Sequence, residues 1–207
     1  MTIHQGQPVL NWGEEPQHAK CIVILLHGRG GTAESMLSIA EALQVEGSAY
    51  LIPQAAGNRW YPQTAFGPLE VNEPDLSSAL QMIGDLVDEA LKDGFEFHQI
   101  FLGGFSQGAC LAAEYVVRNP APYGGLFLLS GALIGPPGQS RTPAGDLKGT
   151  PVFLGISDQD PWVSHSLVKE AARIFTDLGG QVDFQTYPGL GHTINLDEIN
   201  KVREMLG

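Results

Sequence analysis

The sequence predicts an α/β fold, a mainly parallel sheet with helices on both faces. Three observations carry that reading. Residues 19–26, 100–102, 125–129 and 151–156 are apolar runs without polar alternation, the mark of strands buried on both faces. Between them lie stretches whose apolar residues recur at helical spacing, so strands and helices alternate along the chain. Several of the strand ends run into glycine-rich turns, and sheets of this kind bind ligands at the carboxyl ends of their strands.

With 207 residues the chain is expected to form one domain, 1–207, long enough to bury a substantial core. Its 43% hydrophobic and 16% charged residues are ordinary for a globular protein and argue against disorder. The net charge of −12, from 23 acidic against 11 basic residues, argues against nucleic acid or an anionic lipid surface as a partner. The opening residues carry no basic segment followed by an apolar core, and no stretch approaches the roughly 20 apolar residues of a membrane span. A cytoplasmic location without stable membrane association is therefore expected. Cys21 and Cys110 both fall in segments read as buried, and are read as inert thiols rather than a disulfide or a metal site.

Residues up to about 18 are polar and turn-rich, with an edge strand near 8–12. The buried strand at 19–26 ends in His27-Gly28-Arg29-Gly30-Gly31. Backbone N–H groups in such a cluster are free to face a ligand. A phosphate cradle is one reading, but neither Walker spacing nor GxGxxG follows. The better fit is half of an oxyanion hole, with the backbone N–H of Arg29 paired with that of Gln107. A merely tight turn is the bland alternative.

Thr32 is placed to cap a helix through Met36, Leu37, Ala40 and Leu43, ended by Gly47, and residues 49–53 read as a short strand. The long loop 54–73 carries Trp60, Tyr61, Phe66 and Leu69, which either line an acyl pocket or cover the core. A helix over 72–93 follows, with Pro74 in its first turn, Leu76, Leu80, Ile83, Val87 and Leu91 on one face, and Gly94 as terminator.

Residues 100–110, IFLGGFSQGAC, organise the rest: strand, tight turn, helix, with Gly104-x-Ser106-x-Gly108 at the turn. An elbow of this kind holds its serine in a strained conformation at the end of a buried strand. The glycines are needed because side chains there would collide with a neighbouring strand or helix. The helix from Gln107 stops before Pro120, residues 125–129 form another buried strand, and 135–149 read as a surface loop.

The strand at 151–156 ends in Ser157-Asp158-Gln159-Asp160-Pro161-Trp162-Val163. Ser164 is placed to cap a helix with Leu167, Ala171, Ile174, Phe175 and Leu178 on one face. The last strand, 182–187, runs into Pro188-Gly189-Leu190-Gly191-His192, and Asn195 with Glu198 forms the capping box of a final helix.

Serine, aspartate and histidine thus stand in that chain order, each just after a strand. A serine hydroxyl is too weak a nucleophile unaided; a neutral imidazole must take its proton and pass it to the leaving group. His192 suits that role, whereas His4, His18, His98 and His165 read as structural and His27 as a strand-end residue bonded to backbone. The acid that orients the imidazole is Asp160 or Asp158. Asp160 is preferred, with Asp158 bracing the turn.

Four motifs in order, Leu26-His27-Gly28-x-Gly30, Gly103-Gly104-Phe105-Ser106-Gln107-Gly108, Asp158-x-Asp160-Pro161-x-Val163 and Gly191-His192, resemble those of the phospholipase/carboxylesterase group of α/β-hydrolases, which includes acyl-protein thioesterases. The resemblance spans essentially the whole chain. It implies the α/β-hydrolase fold, a serine hydrolase with Ser106, Asp160 and His192 as its triad, and no cofactor or metal. It admits a homodimer. The expected substrate is a small carboxylic ester, with Trp60, Phe66, Leu69 and Trp162 as substrate-binding candidates. Thioesters, acyl-protein thioesterase or lysophospholipase activity, and a catalytically silent binding protein are the alternatives. Arg29 stands where acyl-protein thioesterases usually carry an apolar residue, and no aspartate follows Trp60-Tyr61. Both departures favour a small-ester carboxylesterase over a protein deacylase, and the Arg29 side chain is placed to favour acidic or polar substrates.

Overall fold

The structure, a computed structural model, describes residues 3–141 and 145–207; the expected loop at 135–149 therefore includes three positions, 142–144, outside the described residues. Among the described residues seven strands form one sheet: β1 (Val9–Gly13), β2 (Cys21–Leu26), β3 (Ser48–Pro53), β4 (Ile100–Phe105), β5 (Gly125–Leu129), β6 (Pro151–Ser157) and β7 (Gln181–Tyr187). Their order is β1-β3-β2-β4-β5-β6-β7, and β1 alone runs antiparallel, as an edge on β3. The order reverses between β2 and β4, so the loops leaving those two strands open a crevice at one sheet edge.

The alternation of side chains along β2 divides the core. Ile22, Ile24 and Leu26 point into a layer covered by α2 (Asp75–Lys92), α3 (Gln107–Arg118) and α4 (His165–Asp177). Cys21, Val23 and Leu25 point into the opposite layer, covered by α1 (Leu37–Ala42) and α5 (Leu196–Leu206). Both faces of the sheet are buried, which is why β2 reads as an unbroken apolar run.

Two helices begin later than their sequences predict. Glu34–Met36 is a 3₁₀ turn held by Thr32 and Ser35: the Ser35 N–H donates to Thr32 Oγ1 at 3.2 Å and the Ser35 hydroxyl to Thr32 O at 2.6 Å. The threonine closes a turn there, and α1 is only six residues long. Residues Leu69–Asn72 also form a 3₁₀ turn, and α2 starts at Asp75. Asn72 is buried and spends its side chain on the preceding loop, accepting from Gln63 N at 2.8 Å and donating to Thr64 O at 2.9 Å. At the other end Gly94, at φ +98°, closes α2 as expected. The capping box of α5 is present in both directions, Glu198 N to Asn195 Oδ1 at 3.0 Å and Asn195 N to Glu198 Oε2 at 2.9 Å.

Glu198 is fully buried, its Oε1 has no hydrogen-bond partner among the described residues, and Gly155 leaves room for it against β6. Burial pushes its carboxyl up to about 7 from an ordinary 4.5. Between those values the folded chain holds a proton that the unfolded chain has released, so stability falls as pH rises through this window. Glu198→Gln keeps the oxygen that caps Asn195 and cannot ionise. The variant is expected to melt higher than the parent by roughly 3 °C or more at alkaline pH, and equally near the ordinary glutamate pKa. Thermal unfolding followed by circular dichroism at both pH values checks this, and a constant difference across pH contradicts it.

Candidate active site

β4 delivers the chain into the turn at Gly104-Phe105-Ser106-Gln107-Gly108, and α3 leaves it. Ser106 sits at φ 55° and ψ −118°, a strained conformation costing of order 1–3 kcal/mol. It is held by its own N–H on Leu129 O at 2.9 Å and by Cys110 N on its carbonyl at 3.0 Å. The glycines answer a steric demand. A Cβ on Gly104 would strike Leu26 O, and one on Gly108 would strike Leu26 O and His27 O. Gly108→Ala is therefore expected to cost about 3 kcal/mol, a drop in melting temperature of roughly 6 °C or more, read by thermal unfolding.

The imidazole of His192 faces the elbow, with Nε2 2.9 Å from Ser106 Oγ and Nδ1 2.6 Å from Asp160 Oδ2. The Asp160 carboxyl is fully buried and the His192 ring only 16% exposed. Asp160 Oδ1 accepts from Trp162 N at 2.8 Å and Val163 N at 2.9 Å, so the carboxylate is fixed by backbone on one oxygen and meets the imidazole with the other. An acceptor at that place holds the proton on Nδ1 and leaves the Nε2 lone pair toward the serine. The His192 loop is anchored by the end of β6: Gly189 N donates to Asp158 Oδ1 at 2.8 Å and Gly191 N to Ser157 Oγ at 3.0 Å. Asp158 braces the turn, as expected, and the Phe105 ring packs on His192 with centroids 4.8 Å apart.

The loop after β2 abuts the elbow, since a Cβ on Gly28 would lie 3.3 Å from the Ser106 Cβ. Gly30 N and Gly31 N are spent on Asn58 O and Gly28 O, whereas no described residue accepts from the Arg29 N–H. Gln107 is the first residue of α3, so its N–H is unclaimed by the helix and lies at the positive end of the dipole. The two N–H groups expected to receive an oxyanion thus belong to adjoining turns.

His27 is buried at the end of β2. Its Nε2 accepts from Ala55 N at 3.1 Å, which puts the proton on Nδ1, 2.7 Å from Gly28 O. His4, likewise buried, accepts from Ala56 N through Nδ1 and meets Trp60 O through Nε2. Burial lowers both pKa values, so both rings stay neutral as struts of the 54–73 loop.

A cavity of about 550 Å³ opens over Ser106 and His192, walled by Arg29, Phe66, Cys110, Trp162 and Val163 among others. Two of the four substrate-binding candidates, Phe66 and Trp162, line it. Trp60 and Leu69 do not, and the expectation for them is corrected. Trp60 is fully buried beneath the loop, donating Nε1–H to His27 O at 2.8 Å; Leu69 is half-buried and packs on the core. Tyr61, read as either pocket lining or cover for the core, lines the cavity, and the sequence gives no sign of Phe105 and Cys110 as lining residues. The Cys110 thiol is pushed up to about 11 by burial, which keeps it protonated and unreactive. Gln107 also has an unforeseen second role. Its side chain accepts from Trp60 N at 2.9 Å and donates to Tyr61 O at 2.8 Å, tying the pocket loop to the elbow.

A profile of the phospholipase/carboxylesterase family matches residues 9–207. The chain belongs to the phospholipase/carboxylesterase family. Among curated relatives of this family member is acyl-protein thioesterase 1 of Kluyveromyces lactis, 29% identical over 92% of each chain. Among solved structures is a phospholipase/carboxylesterase of Dyadobacter fermentans, 40% identical, with a TM-score of 0.93 over 100% of this chain and 99% of that one. A Bacillus cereus carboxylesterase, 23% identical with a TM-score of 0.78 over 98% and 94% of the two chains, shares the fold. This is the α/β-hydrolase fold. Among the described residues no helix is long and apolar enough to cross a membrane.

Proposed function

We propose that the chain, as one domain over 1–207, is a serine carboxylesterase that hydrolyses small carboxylic esters through an acyl-Ser106 intermediate. The observation that carries the reading is the line from Ser106 Oγ through the His192 ring to Asp160, with hydrogen-bond distances of 2.9 and 2.6 Å. His192 Nε2 takes the hydroxyl proton as Ser106 attacks the ester carbonyl carbon, and Asp160 offsets the imidazolium charge. The negative oxygen of the tetrahedral intermediate is received by the N–H groups of Arg29 and Gln107, each worth roughly 3–4 kcal/mol at the transition state. His192 passes its proton to the departing alcohol. Water, deprotonated by the same ring, then releases the acid and restores Ser106.

The cavity of about 550 Å³ suits a short acyl or alcohol group. Family membership and the 29% identical thioesterase support ester and thioester hydrolysis alike. Its two cysteines, both buried and unpaired, fit a cytoplasmic location, and the family resemblance admits a homodimer. The test is turnover of p-nitrophenyl esters and acyl-CoA thioesters of increasing chain length, with a fluorophosphonate probe located by peptide mass. Turnover of short esters and labelling at Ser106 support the reading; the absence of both refutes it.

A further inference from the structure

The side chain of Arg29 is not used by the chemistry described above, which needs only its backbone N–H. Acidic residues outnumber basic ones 23 to 11 along the chain, yet the described wall of the cavity holds a guanidinium and no carboxylate. Arg29 ties the turn after β2 to the 54–73 loop where both line the cavity, donating Nη1–H to Pro62 O at 2.9 Å and Nη2–H to Gln63 O. Its guanidinium carbon lies 5.9 Å from the centre of the Tyr61 ring. These contacts fix the plane of the group and leave its other N–H donors free of any described acceptor. No described carboxylate stands within 4.0 Å of it, although Arg118, Arg141, Arg173 and Lys201 each have one. A fixed, exposed, uncompensated guanidinium beside a nucleophile is built to receive an anion, and its planar fork matches a carboxylate.

We propose that Arg29 makes the pocket selective for esters carrying a free carboxylate, so that the preferred substrates are half-esters of short dicarboxylic acids or short hydroxy acids acylated on their hydroxyl. The proposal rests on the esterase reading and narrows it. The carboxylate lies close to the scissile bond, because the residue that binds it also supplies a donor to the carbonyl oxygen.

The experiment measures acid release by pH-stat for two matched pairs. Monomethyl glutarate against methyl pentanoate places the charge on the acyl side; acetoxyacetate against propyl acetate places it on the alcohol side. One carboxylate-bearing ester is expected to show a kcat/KM about tenfold above its neutral partner, and the pair concerned identifies the side. The ratio should fall toward one in about 1 M salt, where the screening length is about 3 Å. In Arg29→Gln it should fall about tenfold, and Arg29→Lys should restore part of it. Loss of the bridge to Pro62 and Gln63 alone would slow both members of a pair and cancel in the ratio. Hydrolysis of neutral esters with no carboxylate preference in either pair overturns the proposal and leaves the esterase standing. A preference unmoved by salt and by Arg29→Gln also overturns it. No hydrolysis of any ester, with no phosphonate labelling, removes the esterase reading and this proposal together.

Discussion

Ser106→Ala is expected to lower kcat for p-nitrophenyl acetate by about 10⁶-fold, the loss found when other serine triads lose their nucleophile. The fold should survive. Among the described residues the hydroxyl bonds only His192, and alanine accepts the backbone conformation at φ 55° about as well as serine does. Its melting temperature is expected within roughly 2 °C of the parent. Steady-state kinetics with the melting curve of the same preparation separates chemistry from stability. Turnover near the parent rate in a folded variant contradicts Ser106 as nucleophile.

Asp160→Asn is expected to lower kcat by about 10⁴-fold with little change in structure. The asparagine oxygen can still accept from Trp162 N and Val163 N, so the turn holds. Its amide nitrogen then faces His192 Nδ1, and a donor there demands an acceptor. The ring shifts its proton to Nε2, the atom that must receive the proton of Ser106. Geometry is kept and chemistry is lost through the tautomer. Asp158→Asn is the matched comparison: the Asp158 oxygen accepts from Gly189 N, which an amide oxygen does as well, so activity should stay within a few-fold. Equal losses in the two variants would contradict the division of roles between these carboxylates.

How much of this was legible depended on whether a residue's partner lies near it in sequence or is dictated by a strand end. The buried strands were readable because both faces of β2 and β4 are covered, leaving no polar alternation to confuse them. The Asn195–Glu198 box was readable because its partners are three residues apart. The convergence of Ser106, Asp160 and His192 could be expected because each follows a parallel strand, and parallel strands deliver their loops to one edge.

Loop 54–73 was where reading failed. An aromatic residue in a long loop gives no sign of whether its ring faces a cavity or the core. Trp60 fell on the core side because its indole N–H found the carbonyl of His27. Nothing local announces that Gln107 reaches Trp60 and Tyr61, residues 47 and 46 positions away, or that Asn72 turns back to Gln63. Those bonds are tertiary, and no period in the sequence encodes them. Thr32 misled for the opposite reason: a hydroxyl placed before an apolar helical pattern closes a turn as readily as it caps a helix.

The acyl-enzyme itself gives the most direct test. Protein mixed with excess p-nitrophenyl acetate and quenched in acid during turnover is digested, and its peptides are weighed. The account predicts one acetyl group on the peptide containing Ser106, and none anywhere in Ser106→Ala. Turnover without an acetylated peptide, or with the acetyl group on another residue, would contradict it.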